Sequence, residues 1–250
     1  MTYHRTADRI PVVIPFVASA LPGSLILAPS RTGKTYLVSL LIKKFLASVA
    51  GSPTEVYFFD PKRGAELALG VKDLPGVHVL SPDEPGPYLE AIETIHARAE
   101  AIAAYKNSQG CTGSIADLWL TGHRGSGEYG ATLIIADEFV EQVEYEKEHD
   151  DDQAKQRKFE MRRLLQKALR RYASCGMHTI LISQSARATD RNLLGAAAID
   201  SVSFYIYGRQ EKAMATALGL PILADDREIQ QVKGVFYFRG LGREVKIYAE

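Results

Sequence analysis

The sequence predicts an α/β domain, a mostly parallel sheet flanked by helices and finished by a C-terminal β-hairpin. Three observations carry that expectation. Short β-branched and aromatic runs alternate with helical patterns along the chain, as parallel strands joined by helical crossovers do. The stretch "LILAPSRTGKTYLV", residues 25–38, passes from an apolar strand through a turn-prone segment straight into helix formers. Near the end, "GVFYFRG" and "REVKIYA" read as two strands closed by Gly240 to Gly242.

In order, strands are expected at Leu25 to Ala28, Val56 to Asp60, Val77 to Leu80, Thr132 to Asp137, Thr179 to Ser183 and Val202 to Tyr207. Helices are expected near 34–49, 87–106, 155–174 and 210–218. With 250 residues, 46% of them hydrophobic, the chain can bury one substantial core. It is therefore read as a single domain spanning 1–250, with 1–22 as an N-terminal extension. Residues 107–130 form a Gly- and Ser-rich loop around Trp119, either functional or a plain surface excursion. No internal repeat is evident.

Thirty basic and thirty acidic residues cancel, which excludes a global positive field; a nucleic-acid surface would need local segregation of charge. No apolar run approaches the roughly 20 residues of a membrane helix, and the N-terminal segment is too broken for a signal peptide. A cytoplasmic protein without an integral membrane segment is expected. Cys111 and Cys175 lack metal or redox spacing and read as reduced thiols.

Ala28 to Thr35, "APSRTGKT", fits the P-loop spacing, with Ala where a first Gly is commonest. Gly33 lets backbone pass close to phosphate, and amide N–H groups at a helix start converge on an anion. Lys34 would reach the β- and γ-phosphates of ATP, and Thr35 would place a hydroxyl on Mg²⁺. Pro29, Ser30, Arg31, Thr32, Gly33, Lys34, Thr35 and Tyr36 are thus the candidate nucleotide-binding residues.

A second apolar strand ends in Asp137 and Glu138. It is expected beside the phosphate strand, with Asp137 holding Mg²⁺ through its water shell and Glu138 polarising the attacking water. "HTILISQS" ends a further strand in Gln184, which can hydrogen-bond the γ-phosphate or its attacking water. P-loop, acid pair and polar sensor on successive strands is the layout of the P-loop ATPase division with an additional catalytic glutamate.

Several segments then resemble one family. "VYFFDPKRGAEL", "YLEAIETIHARAEAIAAY", "GMHTILISQS" and "GVFYFRG" are similar to segments of the FtsK/SpoIIIE/HerA P-loop DNA translocases, a likeness that covers most of residues 22–240. The resemblance implies a RecA-like core, ATP hydrolysis at subunit interfaces of a hexameric ring, and duplex DNA in a central pore. It implies a compact motor domain alone, as in plasmid or transposon transfer or viral genome packaging; a packaging enzyme would be virion-associated. A membrane or capsid partner stays open. The family's Arg-Pro after the sensor glutamine is Ser185-Ala186 here, leaving Arg187 or Arg191 as substitutes. Arg209 aligns with a basic position near the subunit interface and is the candidate arginine finger, with an ordinary surface arginine as the alternative. Asp60, Lys62 and Arg63 match the family's Asp-Pro-Lys segment, as a structural turn or a ligand contact. A protein-remodelling or assembly factor, or a nucleotide-gated switch, is the competing class.

Charge does segregate within 141–172. "EQVEYEKEHDDD" is acidic and "KQRKFEMRRLLQKALRRY" after it is basic. On a helix, Met161, Leu165, Ala168, Leu169 and Tyr172 share one stripe, with Arg163, Lys167, Arg170 and Arg171 opposite. DNA phosphate, a neighbouring subunit's acidic segment and solvent are the three readings of that basic face. The acidic block is expected as part of a charged insert at 141–160, a mobile one that shields this face until DNA arrives.

Overall fold

The computed structural model describes residues 23–48, 54–62, 70–120, 130–146, 148–184, 193–208, 234–240 and 243–248. In chain order these form β1 (Gly23–Leu27), α1 (Lys34–Ser48), β2 (Glu55–Phe59), β3 (Val77–Leu80), α2 (Pro85–Ser108), α3 (Ile115–Leu120), β4 (Thr132–Ala136), α4 (Phe139–Val143), α5 (Asp152–Arg170), β5 (Met177–Ser183), α6 (Ala196–Ile199), β6 (Val202–Tyr207), β7 (Val235–Gly240) and β8 (Arg243–Tyr248). The strands make one sheet in the order β3-β2-β4-β5-β1-β6-β7-β8. Pairing is parallel from β3 to β6, and β7 and β8 add antiparallel as the expected hairpin.

One expectation about this order is corrected. The acid-pair strand β4 does not lie beside the phosphate strand β1, because β5 runs between them and pairs with both. The chain leaves β4, crosses over through α4 and α5, and returns as the next parallel strand, filling the slot. Gln184, at the tip of β5, is therefore placed between the P-loop and the acids.

Side chains alternate across the sheet with period two. Ile26 and Ala28 face the layer built by α1 with Leu37, Ile42 and Phe45, while Leu25 and Leu27 face the layer built by α2, α4 and α5. Because both faces are covered, β1, β4 and β5 are buried along their whole length, which is why they read as continuous apolar runs. Gly23 opens β1 where α5 crosses closely: a Cβ there would stand 2.5 Å from Leu169 Cδ2 and 3.0 Å from the Thr179 carbonyl oxygen.

Helix α5 starts at Asp152 rather than 155 and ends at Arg170, with a separate 3₁₀ turn over Tyr172–Cys175. Asp151 caps it, accepting the Ala154 N–H at 2.7 Å, and the Asp150 carboxylate grips the Lys158 ammonium at 2.8 Å with both groups largely buried. The described end of the acidic block is thus built into the start of a helix. Met161, Leu165, Ala168 and Leu169 are buried as expected, joined by Leu164, while Arg163, Arg170 and Arg171 stay exposed. Part of the expected 107–130 loop is helical: α2 runs on to Ser108 and α3 follows. Residues 1–22, the expected helix at 210–218, Arg63, Ser185, Ala186, Arg187, Arg191 and Arg209 lie outside the described residues, as does the side chain of Trp119. Among the described residues no helix is long and apolar enough to cross a membrane.

Candidate active site

Parallel strands deliver their C-terminal ends to one edge of the sheet, where crossovers diverge and leave a crevice. The first occupant is the turn from β1 to α1. Its entry is held by Ala28 N–H donating to Ser183 O at 3.3 Å and Gly208 N–H to Leu27 O at 2.9 Å, and its crest by Gly234 N–H donating to Thr32 O at 2.8 Å. Gly33 sits at φ 97°, a conformation that side chains rarely adopt, and Arg31 takes φ 64° beside it. Thr32 Oγ1 bonds back to Pro29 O at 2.8 Å, closing the turn. Lys34, only 9% exposed, curls under this loop and donates to Ala28 O at 2.5 Å and Pro29 O at 3.0 Å.

The second occupant is the acid pair. Asp137 extends the ladder by one bond, its N–H donating to Phe59 O at 2.9 Å. Glu138 then takes φ 46° and ψ 49°, left-handed backbone that costs a non-glycine residue on the order of 1 kcal/mol. The helix it caps holds it there, with Glu141 N–H donating to Glu138 O at 2.9 Å. Its carboxylate accepts the Gln184 backbone N–H at 3.2 Å and the Gln184 Nε2–H at 2.5 Å. Ser30 Oγ–H donates to Gln184 Oε1, so P-loop, sensor and acid are joined in one hydrogen-bonded chain.

Gln142, one turn along α4, went unnoticed in the sequence. Buried, it donates from Nε2 to Phe59 O at 3.1 Å and to Asp137 O, and accepts Tyr88 O–H at 2.6 Å on Oε1. It fastens the acid-pair turn to β2. Nothing in its local sequence marks it, since Phe59 and Tyr88 lie 83 and 54 residues away along the chain.

Ser30, Arg31, Gly33, Lys34, Thr35, Tyr36, Lys62, Asp137, Glu138 and Gln184 line one cavity of about 460 Å³. Lys34 and the two carboxylates therefore converge as the sequence led one to expect, while Pro29 and Thr32 act from behind through the turn. Burial raises the Asp137 carboxyl from 3.8 to about 7, helped by Glu138 and Asp60, while Lys62 and Lys34 pull it down. A crowd of carboxylates with too little counter-charge suits a divalent cation, and the Thr35 hydroxyl with the Asp137 carboxylate offers the hard oxygen donors Mg²⁺ takes. Among the described residues no cluster of three or more His, Cys, Asp or Glu forms a metal cage, so a cation here would draw its other ligands from phosphate and water.

The chain is similar to solved structures of two kinds. The conjugation coupling protein TcpA of pCW3, in its monomer form with ATPγS, is 18% identical with a TM-score of 0.70, covering 91% of this chain and 60% of that one. The cytoplasmic domain of the Thermomonospora curvata type VII secretion ATPase EccC is 21% identical with a TM-score of 0.70, covering 97% and 27%. ATPases 2 and 3 of the same EccC, in complex with a signal sequence peptide, are 16% identical with a TM-score of 0.58, covering 98% and 40%. The fold is that of these structures. It is the α/β fold, a mostly parallel sheet flanked by helices, that the sequence predicts. The chain spans at most 60% of the length of these three. No family model and no curated protein matches it by sequence.

Proposed function

We propose that the chain binds and hydrolyses ATP in this cavity and uses the cycle to move duplex DNA as a subunit of a hexameric ring. The observation that carries the proposal is the meeting of Lys34, Thr35, Asp137, Glu138 and Gln184 on one cavity at the C-terminal edge of a parallel sheet. In this reading the backbone N–H groups of the turn from Ser30 on and of the start of α1 receive the phosphates. Lys34 exchanges its bonds to the Ala28 and Pro29 carbonyls for phosphate oxygens.

Glu138 orients the attacking water and takes its proton, from a carboxylate that Gln184 holds by two N–H donors. Gln184, hydrogen-bonded at once to the P-loop and to the base, links nucleotide occupancy to the position of that base. Thr35 and Asp137 would hold Mg²⁺, which when bound neutralises charge developing on the transferred phosphoryl group. A ring would let Arg209 serve a neighbour's site as the arginine finger.

DNA as the moved substrate rests on the resemblance of the sequence to DNA translocases. A second reading, movement or remodelling of a polypeptide, is favoured by the likeness of fold to an EccC structure with a bound signal sequence peptide. ATP turnover measured with duplex DNA, with unfolded polypeptide and with neither separates the two. Stimulation by DNA at low salt supports the first; stimulation by polypeptide alone overturns it. Lys34→Ala is expected to abolish ATP binding, and Glu138→Gln to retain it while turnover falls about 10²- to 10⁴-fold. Wild-type protein that neither binds nor hydrolyses ATP refutes the site itself.

A further inference from the structure

Asp60, Pro61 and Lys62 drew no chemical role from their spacing. The sheet supplies one. Strand β2 pairs with β4, so the turn after β2 lies beside the acid pair, on the side of the cavity away from the P-loop strand. That turn is anchored: Asp60, 3% exposed, donates its N–H to Leu80 O at 2.9 Å and accepts the Lys62 N–H on Oδ1 at 2.7 Å. An aspartate bonding the amide two residues on is a self-contained turn, and it directs the exposed Lys62 into the same cavity that Lys34 and Thr35 line.

The cavity thus has a lysine at each end. Lys34 rises from α1 under the loop whose amides suit the α- and β-phosphates. Across the sheet stand Asp60, Asp137 and Glu138, whose summed charge repels a third phosphate extending that way. Among the described residues that line the cavity, Lys62 is the cation on that side, close enough for its field to reach both Asp137 and Glu141.

Resting on the nucleotide reading above, we infer that Lys62 contacts the terminal phosphate of a nucleoside triphosphate and makes the site prefer a triphosphate to a diphosphate. A diphosphate held by the P-loop stops short of it. Losing Lys62 therefore weakens the triphosphate selectively, whereas a merely structural turn would weaken both nucleotides alike.

Calorimetric titration of the full chain with ATPγS and with ADP, each with Mg²⁺, tests this on wild type, Lys62→Met and Lys62→Arg. Lys62→Met is expected to weaken ATPγS by about ten- to a hundredfold, the worth of a charge-assisted contact, and ADP by less than about twofold. Lys62→Arg is expected to keep most of the preference. Equal weakening of the two nucleotides, or unchanged ATPγS affinity, overturns the inference. Should Lys62→Met fail to fold, Lys62→Gln carries the same comparison. Wild type that binds neither nucleotide overturns the nucleotide reading and this inference with it. Wild type that binds both, with an unaltered ratio in Lys62→Met, overturns this inference alone.

Discussion

Replacing Asp137 by Asn is expected to stabilise the protein above neutral pH when neither metal nor nucleotide is present. The folded chain binds a proton on this carboxyl far more tightly than the unfolded chain does, with a pKa of about 7 against 3.8. Stability drawn from such a group is complete below 3.8, declines as pH rises, and is lost once pH passes 7. Across that interval the rise corresponds to about 4 kcal/mol at roughly 1.4 kcal/mol per pH unit. Asparagine keeps the shape of the neutral acid and cannot ionise.

The stability gap between Asn variant and wild type should therefore widen by about 2–3 kcal/mol from pH 5 to pH 7 and then stay level. At about 2–4 °C per kcal/mol for a chain of this size, that is a relative shift in Tm of roughly 4–12 °C. Urea unfolding in chelator at half-unit pH steps, on both proteins, reads it directly. Two stability curves that run parallel from pH 5 to pH 8 would refute the reasoning, because they would leave Asp137 equally acidic folded and unfolded. Mg²⁺ with nucleotide should cancel the wild type's deficit, and so stabilise it more than the variant.

Three further outcomes follow from particular contacts. Gln142→Leu removes both donors to the Phe59 and Asp137 carbonyls and the acceptor of the Tyr88 hydroxyl; it should cost about 2–4 kcal/mol in urea unfolding and lower ATP turnover with the P-loop intact. Asp151→Ala, by deleting the cap on Ala154 N–H, should cost about 1 kcal/mol in the same assay, with most of it recovered in Asp151→Ser. If the exposed face of α5 meets DNA phosphate, Arg163→Ala with Lys167→Ala should flatten the dependence of log affinity on log salt by about 2, and an unchanged slope excludes phosphate contact there.

Much of the candidate site was legible because its parts are local. The P-loop is a strand, a turn and a helix start within eleven residues or so, each with its own signature: an apolar run, Gly33 where backbone must turn left-handed, and Lys34 and Thr35 where packing needs neither. The acid pair was legible for the same reason, as polar residues ending a run buried on both faces. Helix α5 begins earlier than the sequence indicates, since the aspartates around 150 read as part of an acidic insert, whereas Asp151 is the cap and Asp150 the largely buried partner of Lys158.

The sequence by itself determined the strands, the long helices α1, α2 and α5, and the polar residues that end β1, β4 and β5, since hydrophobic period and turn chemistry act over a few neighbours. Only the tertiary structure decided what those ends face. That β5 separates β1 from β4 depends on how crossovers pack, and apolar strands buried alike on both faces carry no mark of their neighbours. The bond from Ser30 to Gln184 spans 154 residues, that from Gln142 to Phe59 spans 83, and Lys62 enters the cavity because β2 pairs with β4. Such contacts arise when the sheet closes its order, so they belong to the folded chain and to no shorter stretch of it.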